Sequence, residues 1–315
     1  MKSKSIRLDK YFELINPEYI YFKLKPHSST RNNSSDKLAQ LVNKVYLDFN
    51  KRIYKEEKKL FFKTQSKVSY YIYLENKKAE FYFIIPKPYK RLFKDRISDT
   101  WKNIEIKEVQ EIPQFSKNAT KYSLSYKKED ALSLAVDKRN NELLSSTLNI
   151  LEILESEYND KIGIIYNFIP SSSTILSSFK DYHKEIVEKF NKHKPLDKNK
   201  KNIIYILKVA ANFLFNTIDG LIGQIQSDLK QPIQNNMIFS QGRELSKATI
   251  KKENSTLCRS QIVVLSESDY KQNQEINARA TAEAFSIIDE DNSLIYNEIK
   301  GNFDMKEYKF PCEIN

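Results

Sequence analysis

Glycine is the scarcest structural resource in this chain, at five in 315 residues against a usual share of roughly 7%. Phosphate-cradling loops and the tight turns of dinucleotide-binding folds are built from glycine. Gly163, Gly220, Gly223, Gly242 and Gly301 cannot supply GxxxxGK[ST], so a nucleotide-hydrolysing site of that type is excluded. Cysteine is equally thin: Cys258 and Cys312 make no disulfide framework, and neither has a Cys or His neighbour at metal-ligand spacing. No HExxH, CxxC or EF-hand pattern occurs. The three histidines, His27, His183 and His193, lie far apart, and each reads as a surface or packing residue before it reads as a base or ligand. Long apolar runs are missing as well. The longest, Ile203 to Ile225, is broken by Lys208, Asn212, Asn216 and Asp219, which suits a buried helix better than a membrane span. The opening MKSKSIRLDKYFELINPEY is too polar for a secretory signal. These absences lead us to expect a cytoplasmic, non-enzymatic protein with no cofactor and no metal.

What the chain does have is positive charge, unevenly placed. Fifty-two Lys and Arg against 41 Asp and Glu give +11. Residues 1–130 hold 29 against 16, or +13, and residues 131–315 hold 23 against 25, or −2. The whole basic excess therefore sits in the first part, where it can meet a nucleic acid, an anionic membrane surface, or only water.

Periodicity divides the sequence into two similar halves. Alternation marks a strand at 19–25; NSSDKL opens a helix whose stripe of Leu38, Leu41, Val42, Val45, Phe49 and Ile53 carries it to about Tyr54. VSYYIYLE and AEFYFIIP flank the polar ENKK as a hairpin; a helix from Pro88 follows, with Leu92, Phe93, Ile97 and Trp101 turned inward, and IEIKEV is a strand. The second half runs from a strand at 120–127 through a helix at about 141–155 to a strand at 161–169. A helical hairpin follows, Thr174 to Asn191 and Asn202 to Leu229, then a polar stretch at 230–260. QIVVLSES, a helix from Lys271 to Phe285 and SLIYNEI complete it. The expected fold is α+β: two ferredoxin-like βαββαβ units, 1–115 and 116–310, the second split by a helical insertion at about 172–255. In such a unit, helices cover one sheet face and leave the other open. Tyr19, Tyr21, Tyr71, Tyr73 and Tyr82 fall on that open face.

Two basic clusters stand out: Lys51, Arg52, Lys55, Lys58, Lys59 and Lys63, and then Lys87, Lys90, Arg91, Lys94 and Arg96. With Tyr71 and Tyr73 they are the ingredients of a single-strand platform, where rings stack bases and lysines neutralise phosphates. The same tyrosines suit burial under a neighbouring element. AEFYFIIP lacks the K/R-G-F/Y-G start of an RNA-binding motif. Glu152, Glu155 and Glu157 belong to a wet helix face.

The stretch YSLSYKKEDALSLAVDKRNNELLSSTLNILEIL, followed by IGIIYNFIP, resembles the region ahead of the motor in conjugative transfer ATPases of low-GC Gram-positive plasmids, the VirB/HerA/FtsK-like motors of type IV secretion. The opening PEYIYFKLKPHSSTRN and the later QIVVLSES fit the same pattern, so the resemblance covers most of the chain. It implies an α+β region that docks a motor onto membrane-bound channel proteins. The Walker motifs of the motor are missing here, so no catalytic residue carries over. The implied role is a non-catalytic docking module of a DNA-transfer apparatus, a stand-alone adaptor or the N-terminal part of a transfer ATPase. Its partners would be a transfer ATPase or membrane channel subunits, with DNA a further candidate, and its place the cytoplasm or the cytoplasmic face of the membrane. The Asn202–Leu229 segment is a candidate for peripheral membrane contact. The second reading, from charge and tyrosines alone, is a free-standing single-stranded nucleic-acid binder.

Overall fold

The computed structural model describes residues 12–27, 29, 36–135, 142–197 and 244–299. The strands are β1 (Phe12–Ile15), β2 (Tyr19–Pro26), β3 (Ile53–Glu56), β4 (Lys59–Lys63), β5 (Val68–Glu75), β6 (Lys78–Pro86), β7 (Ile104–Val109), β8 (Thr120–Tyr126), β9 (Lys161–Ile169), β10 (Arg259–Glu267) and β11 (Leu294–Glu298). The helices are α1 (Asp36–Lys44), α2 (Phe49–Arg52), α3 (Lys90–Thr100), α4 (Glu142–Leu148), α5 (Ser173–Asn191), α6 (Lys247–Lys252) and α7 (Lys271–Glu283). The architecture is mixed α+β, with an eight-stranded antiparallel sheet in the order β11-β8-β10-β9-β5-β6-β2-β7 and a separate three-stranded sheet in the order β1-β4-β3.

Turn chemistry starts the large sheet. Asn76 and Lys77 both take positive φ, 48° and 56°, the primed two-residue turn whose twist matches the strands it joins. Glu75 therefore pairs with Lys78 and the register of β5 on β6 is set. On its other edge β5 pairs with β9 from Val68↔Phe168 to Glu75↔Lys161, so the sheet passes from one half of the sequence to the other without a break.

Alternation then sorts side chains between two faces. On one face, Phe22, Leu24, Phe83 and Ile85 pack beneath Leu41, Val42 and Val45 of the α1 segment and Phe93 and Ile97 of α3. The same face continues with Ile72, Leu74, Ile162, Ile164 and Val264 beneath Leu144 and Leu148 of α4, Ala282 of α7 and the following Phe285. Full burial of each such aliphatic side chain contributes roughly 1.5–3 kcal/mol.

Several sequence expectations are revised. The helix expected to run to Tyr54 ends at Lys44. Val45 is fully buried against the sheet, Val45 N–H turns back to the Val42 carbonyl at 3.1 Å, and residues 53–63 leave the helical stripe to form β3 and β4. The helix expected at 141–155 is α4 followed by a 3-10 turn at Asn149–Glu152. Leu92, expected inside, is 43% exposed. Asn202–Leu229 and the polar residues 230–243 lie outside the described residues.

Of the two uses open to the tyrosine face, burial is the one realised. Tyr71, Tyr73 and Tyr82 do share one face, but residues 110–119 cross it as a strap. Ile112 and Phe115 lie on the rings, Ile299 joins them, and Tyr71, Tyr73 and Tyr82 keep 0%, 7% and 3% exposure. Tyr71 Oη donates to the Pro113 carbonyl at 3.2 Å, and Ser116 N–H donates to Glu267 Oε2 at 3.0 Å. The strap fits because β9 has no side chain at Gly163: a Cβ there would stand 2.7 Å from Phe115 and 3.1 Å from Tyr71. Gly163→Ala should therefore destabilise the fold by about 1–3 kcal/mol through overpacking, measured by urea unfolding. Phe115→Leu in the same chain should recover part of that loss, and additive effects of the two changes would refute the strap contact.

Candidate docking site

The two basic clusters sit on different elements. Lys87, Lys90, Arg91 and Lys94 are exposed at the start of α3 and on its outer face, with Arg96 half-buried. Lys87 pairs with Glu18 at 2.7 Å and Lys90 with Glu108 at 2.5 Å, which holds part of that charge against the protein's own carboxylates. Lys51, Arg52, Lys55, Lys58, Lys59 and Lys63 lie on α2 and the β3–β4 hairpin. Tyr71 and Tyr73, the rings proposed to accompany them, lie under the strap and present no face to solvent.

Other rings accompany the first cluster. The hairpin pairs Ile53 with Phe62 and Tyr54 with Phe61, and β1 adds in parallel, Phe12 to Leu60 and Leu14 to Phe62. Phe12, Leu14, Ile53, Leu60 and Phe62 therefore share one face of the small sheet, and Tyr54 and Phe61 the other. Phe12 is 50% exposed, Leu14 68% and Tyr54 37%. Solvent-exposed apolar side chains concentrated on a sheet this short mark a surface that meets something else.

The cations divide between the two faces: by register Lys55 falls with Phe12, Leu14 and Phe62, and Lys63 with Tyr54 and Phe61. Tyr54 stacks on Phe61 with ring centres 5.2 Å apart and planes 12° from parallel, and the Lys63 ammonium lies 5.2 Å from the Tyr54 ring. The Arg52 guanidinium lies 5.0 Å from the Phe62 ring and donates to the Leu47 carbonyl at 3.1 Å. Lys51 and Lys59 reach Asp48 and Glu13 at the longer distances of 3.9 and 3.5 Å; exposed pairs of this kind add little stability. Lys55 and Lys58 are exposed. Glu57, with φ of 51°, closes the hairpin.

Sequence reasoning missed β1, β3, β4 and the exposed rings. Ile53 continues the spacing of Val45 and Phe49, which hid the alternation of Ile53 and Lys55 against Tyr54 and Glu56. The available signal was IYKEEKKLFFK, two short β-prone runs around a charged turn.

Polar groups elsewhere act as internal fastening. Ser69 Oγ donates to Asn167 Oδ1 at 2.6 Å, and Asn167 Nδ2 donates to Gln261 Oε1 at 3.3 Å, a row crossing β5, β9 and β10. His183 is buried on α5, with Nε2 2.8 Å from the Thr249 carbonyl. Thr249 Oγ1 donates to Asp291 Oδ2 at 2.6 Å, and Ser246 N–H donates to the same oxygen at 2.8 Å. Asn292 Nδ2 donates to the carbonyls of Lys128 at 3.3 Å and Glu129 at 2.9 Å. These bonds tie α5 and α6 to the loops at 127–135 and 289–293. His27 lies beside Ser29, with Nδ1 2.8 Å from its Oγ, and His193 takes positive φ after α5.

Among the described basic residues, Lys67 is strongly perturbed by the fold. It is 4% exposed, its backbone N–H donates to Tyr19 Oη at 3.3 Å, and burial pulls its ammonium down to about 7. An unfolded lysine titrates near 10.4. Between those values the unfolded chain holds a proton that the folded chain does not, so this residue makes stability rise with pH from about 7 to 10. Tyr19, pushed up to about 12 by burial, works the other way only above about pH 10. Unfolding free energies measured from pH 7 to 9.5 should climb in the natural protein. Lys67→Met should flatten that climb and gain about 2–4 kcal/mol at pH 7; an unchanged slope would show that another group carries it.

No protein-family model, curated protein or solved structure matches this chain.

Proposed function

We propose that this protein is a docking module of a conjugative DNA-transfer apparatus, a part that binds without catalysing. The observation that carries the docking role is the three-stranded sheet. It holds Phe12, Leu14 and Tyr54 in solvent and surrounds them with lysines, on a body whose own apolar faces are covered by helices on one side and the strap on the other. The apparatus is suggested by the resemblance of YSLSYKKEDALSLAVDKRNNELLSSTLNILEIL and its flanks to the region ahead of transfer motors. The partners of this reading are a transfer ATPase or a membrane channel subunit.

We further read the large sheet as two ferredoxin-like units joined edge to edge. In the first, β2, β5, β6 and β7 stand in the order fourth-first-third-second, β7-β2-β6-β5; in the second, β8, β9, β10 and β11 repeat it as β11-β8-β10-β9. That order, with helices between the first and second and the third and fourth strands, supports the split βαβ plan. The pairing of β5 with β9 then joins the two second strands.

A photo-cross-linking amino acid at position 14, in cells carrying the complete conjugative element, tests the docking role. The expected adduct is a transfer ATPase or channel subunit, and Phe62→Ser should reduce it several-fold while Leu92→Ser on α3 leaves it unchanged. Reproducible absence of such adducts, together with absence of these partners from the purified complex, would overturn the reading.

A further inference from the structure

We infer that the three-stranded sheet docks on an anionic lipid surface; this deepens, and rests on, the reading of that sheet as the docking surface. Its apolar content is of the kind that partitions into a headgroup layer. Leu14, the most exposed large apolar residue among the described residues at 68%, is aliphatic, and it shares a face with Phe12 and Phe62. Strands of four or five residues reach only about 13–17 Å, which is enough to enter the interface but not to cross it. Among the described residues no helix is long and apolar enough to cross a membrane, so contact made by this part of the chain is peripheral.

Charge points the same way. Residues 12–15 and 48–63 carry six cations and four acids, net +2, inside the 1–130 stretch that totals +13. Lysines with long apolar stems flanking exposed rings let the ring surface enter while the ammonium groups stay among lipid phosphates.

The ring geometry weighs against nucleic acid. Base stacking needs an open π-face, whereas Tyr54 already lies against Phe61 and beneath Lys63, and Phe62 carries Arg52. A base would have to displace these contacts. A lipid surface needs only ring edges, aliphatic carbons and nearby cations.

Flotation of the full chain with vesicles of phosphatidylcholine plus phosphatidylglycerol, beside pure phosphatidylcholine, tests this. At low salt the protein should float with the anionic vesicles alone. Reversal of Lys55, on the face of Phe12 and Leu14, and of Lys58, in the hairpin turn, to Glu should weaken partitioning about tenfold or more, and added salt should weaken it as well. Phe12→Ser with Leu14→Ser should also lose flotation, with near-ultraviolet circular dichroism unchanged; the lysine set, which removes no packed ring, serves if the apolar pair perturbs folding. Equal binding to neutral vesicles, flotation indifferent to both sets of changes, or no flotation would overturn the lipid assignment. A chain that fails to float yet still cross-links through position 14 to a transfer subunit leaves the docking reading standing. Hairpin-dependent capture of an oligothymidine in place of vesicles would assign the surface to nucleic acid instead.

Discussion

The pairing of β5 with β9 is the constraint on which the rest of the structure depends. Eight residue pairs, from Val68↔Phe168 to Glu75↔Lys161, zip together strands nearly a hundred residues apart, and no local turn sets their register. A slip by one residue would exchange the two faces, placing Tyr71 where Ile72 now meets the helices. The side chains prevent that slip. Ile72 and Ile164 face each other under the helical layer, Tyr71 and Ile165 face each other under the strap, and Ser69 meets Asn167 through a hydrogen bond that only this register permits. The buried row continues to Gln261 on β10. A polar row inside a sheet costs desolvation unless every member finds its partner, so it penalises other alignments more than it strengthens this one.

With the seam fixed, the sheet has apolar side chains on both faces and must be covered twice. Helices α1, α3, α4 and α7 cover one face. The other face is closed by a segment with no regular structure, the strap at 110–119, which also carries the chain from β7 at one edge of the sheet to β8 on the far side. Tyrosines suit this use, because a ring can be buried while its hydroxyl finds a partner. Tyr71 reaches the Pro113 carbonyl, and Tyr82 donates to Glu80, a carboxylate that also holds Lys23. Burial alone would raise the Glu80 carboxyl, but bonds from Lys23 and Tyr82, with Lys78 nearby, bring it below its usual value. The face thus grades from a dry centre of Tyr71, Ile165 and Val263 to charged residues toward the β7 edge.

Much of this was legible in the sequence, for a physical reason. The strands of the large sheet stand out as short β-prone runs bounded by turn residues; β2 and β7 alternate in burial, whereas β9 and β10 are continuous apolar runs buried on both faces, and parity puts the tyrosines on a common face. That the rings could be buried was legible from their chemistry, but the segment that covers them was not, because EIPQFSKNAT has no period and its fit depends on the absence of a Cβ at Gly163, a contact with a strand some fifty residues away. The small sheet was hidden for the opposite reason. Ile53 satisfies a helical stripe and a strand at once, and the choice was made by Val45, whose burial ends the helix early. The lysines of the candidate site were therefore found while its rings were misplaced: charge is visible residue by residue, whereas the neighbours of a charge depend on tertiary pairing.

That difference also separates the two basic clusters. On α3, Lys87 and Lys90 are held at 2.7 and 2.5 Å by Glu18 and Glu108, and Leu92 is the large apolar residue exposed among them. On the small sheet the acid pairs are longer, and Phe12 and Leu14 stand in solvent on one face while Tyr54 does so on the other. An exposed apolar sheet with two open edges invites association with other strands. Here the edges are only four residues long, and the β3 edge presents Lys55 and Glu56, which limits pairing with stray chains while leaving the faces available. Such a surface costs solubility for as long as it has no partner. Its persistence beside a body whose large sheet is covered on both faces is understandable when a charged, apolar-tolerant partner is what it meets, because Phe12, Leu14, the stem of Lys55 and the short edges then all serve one contact.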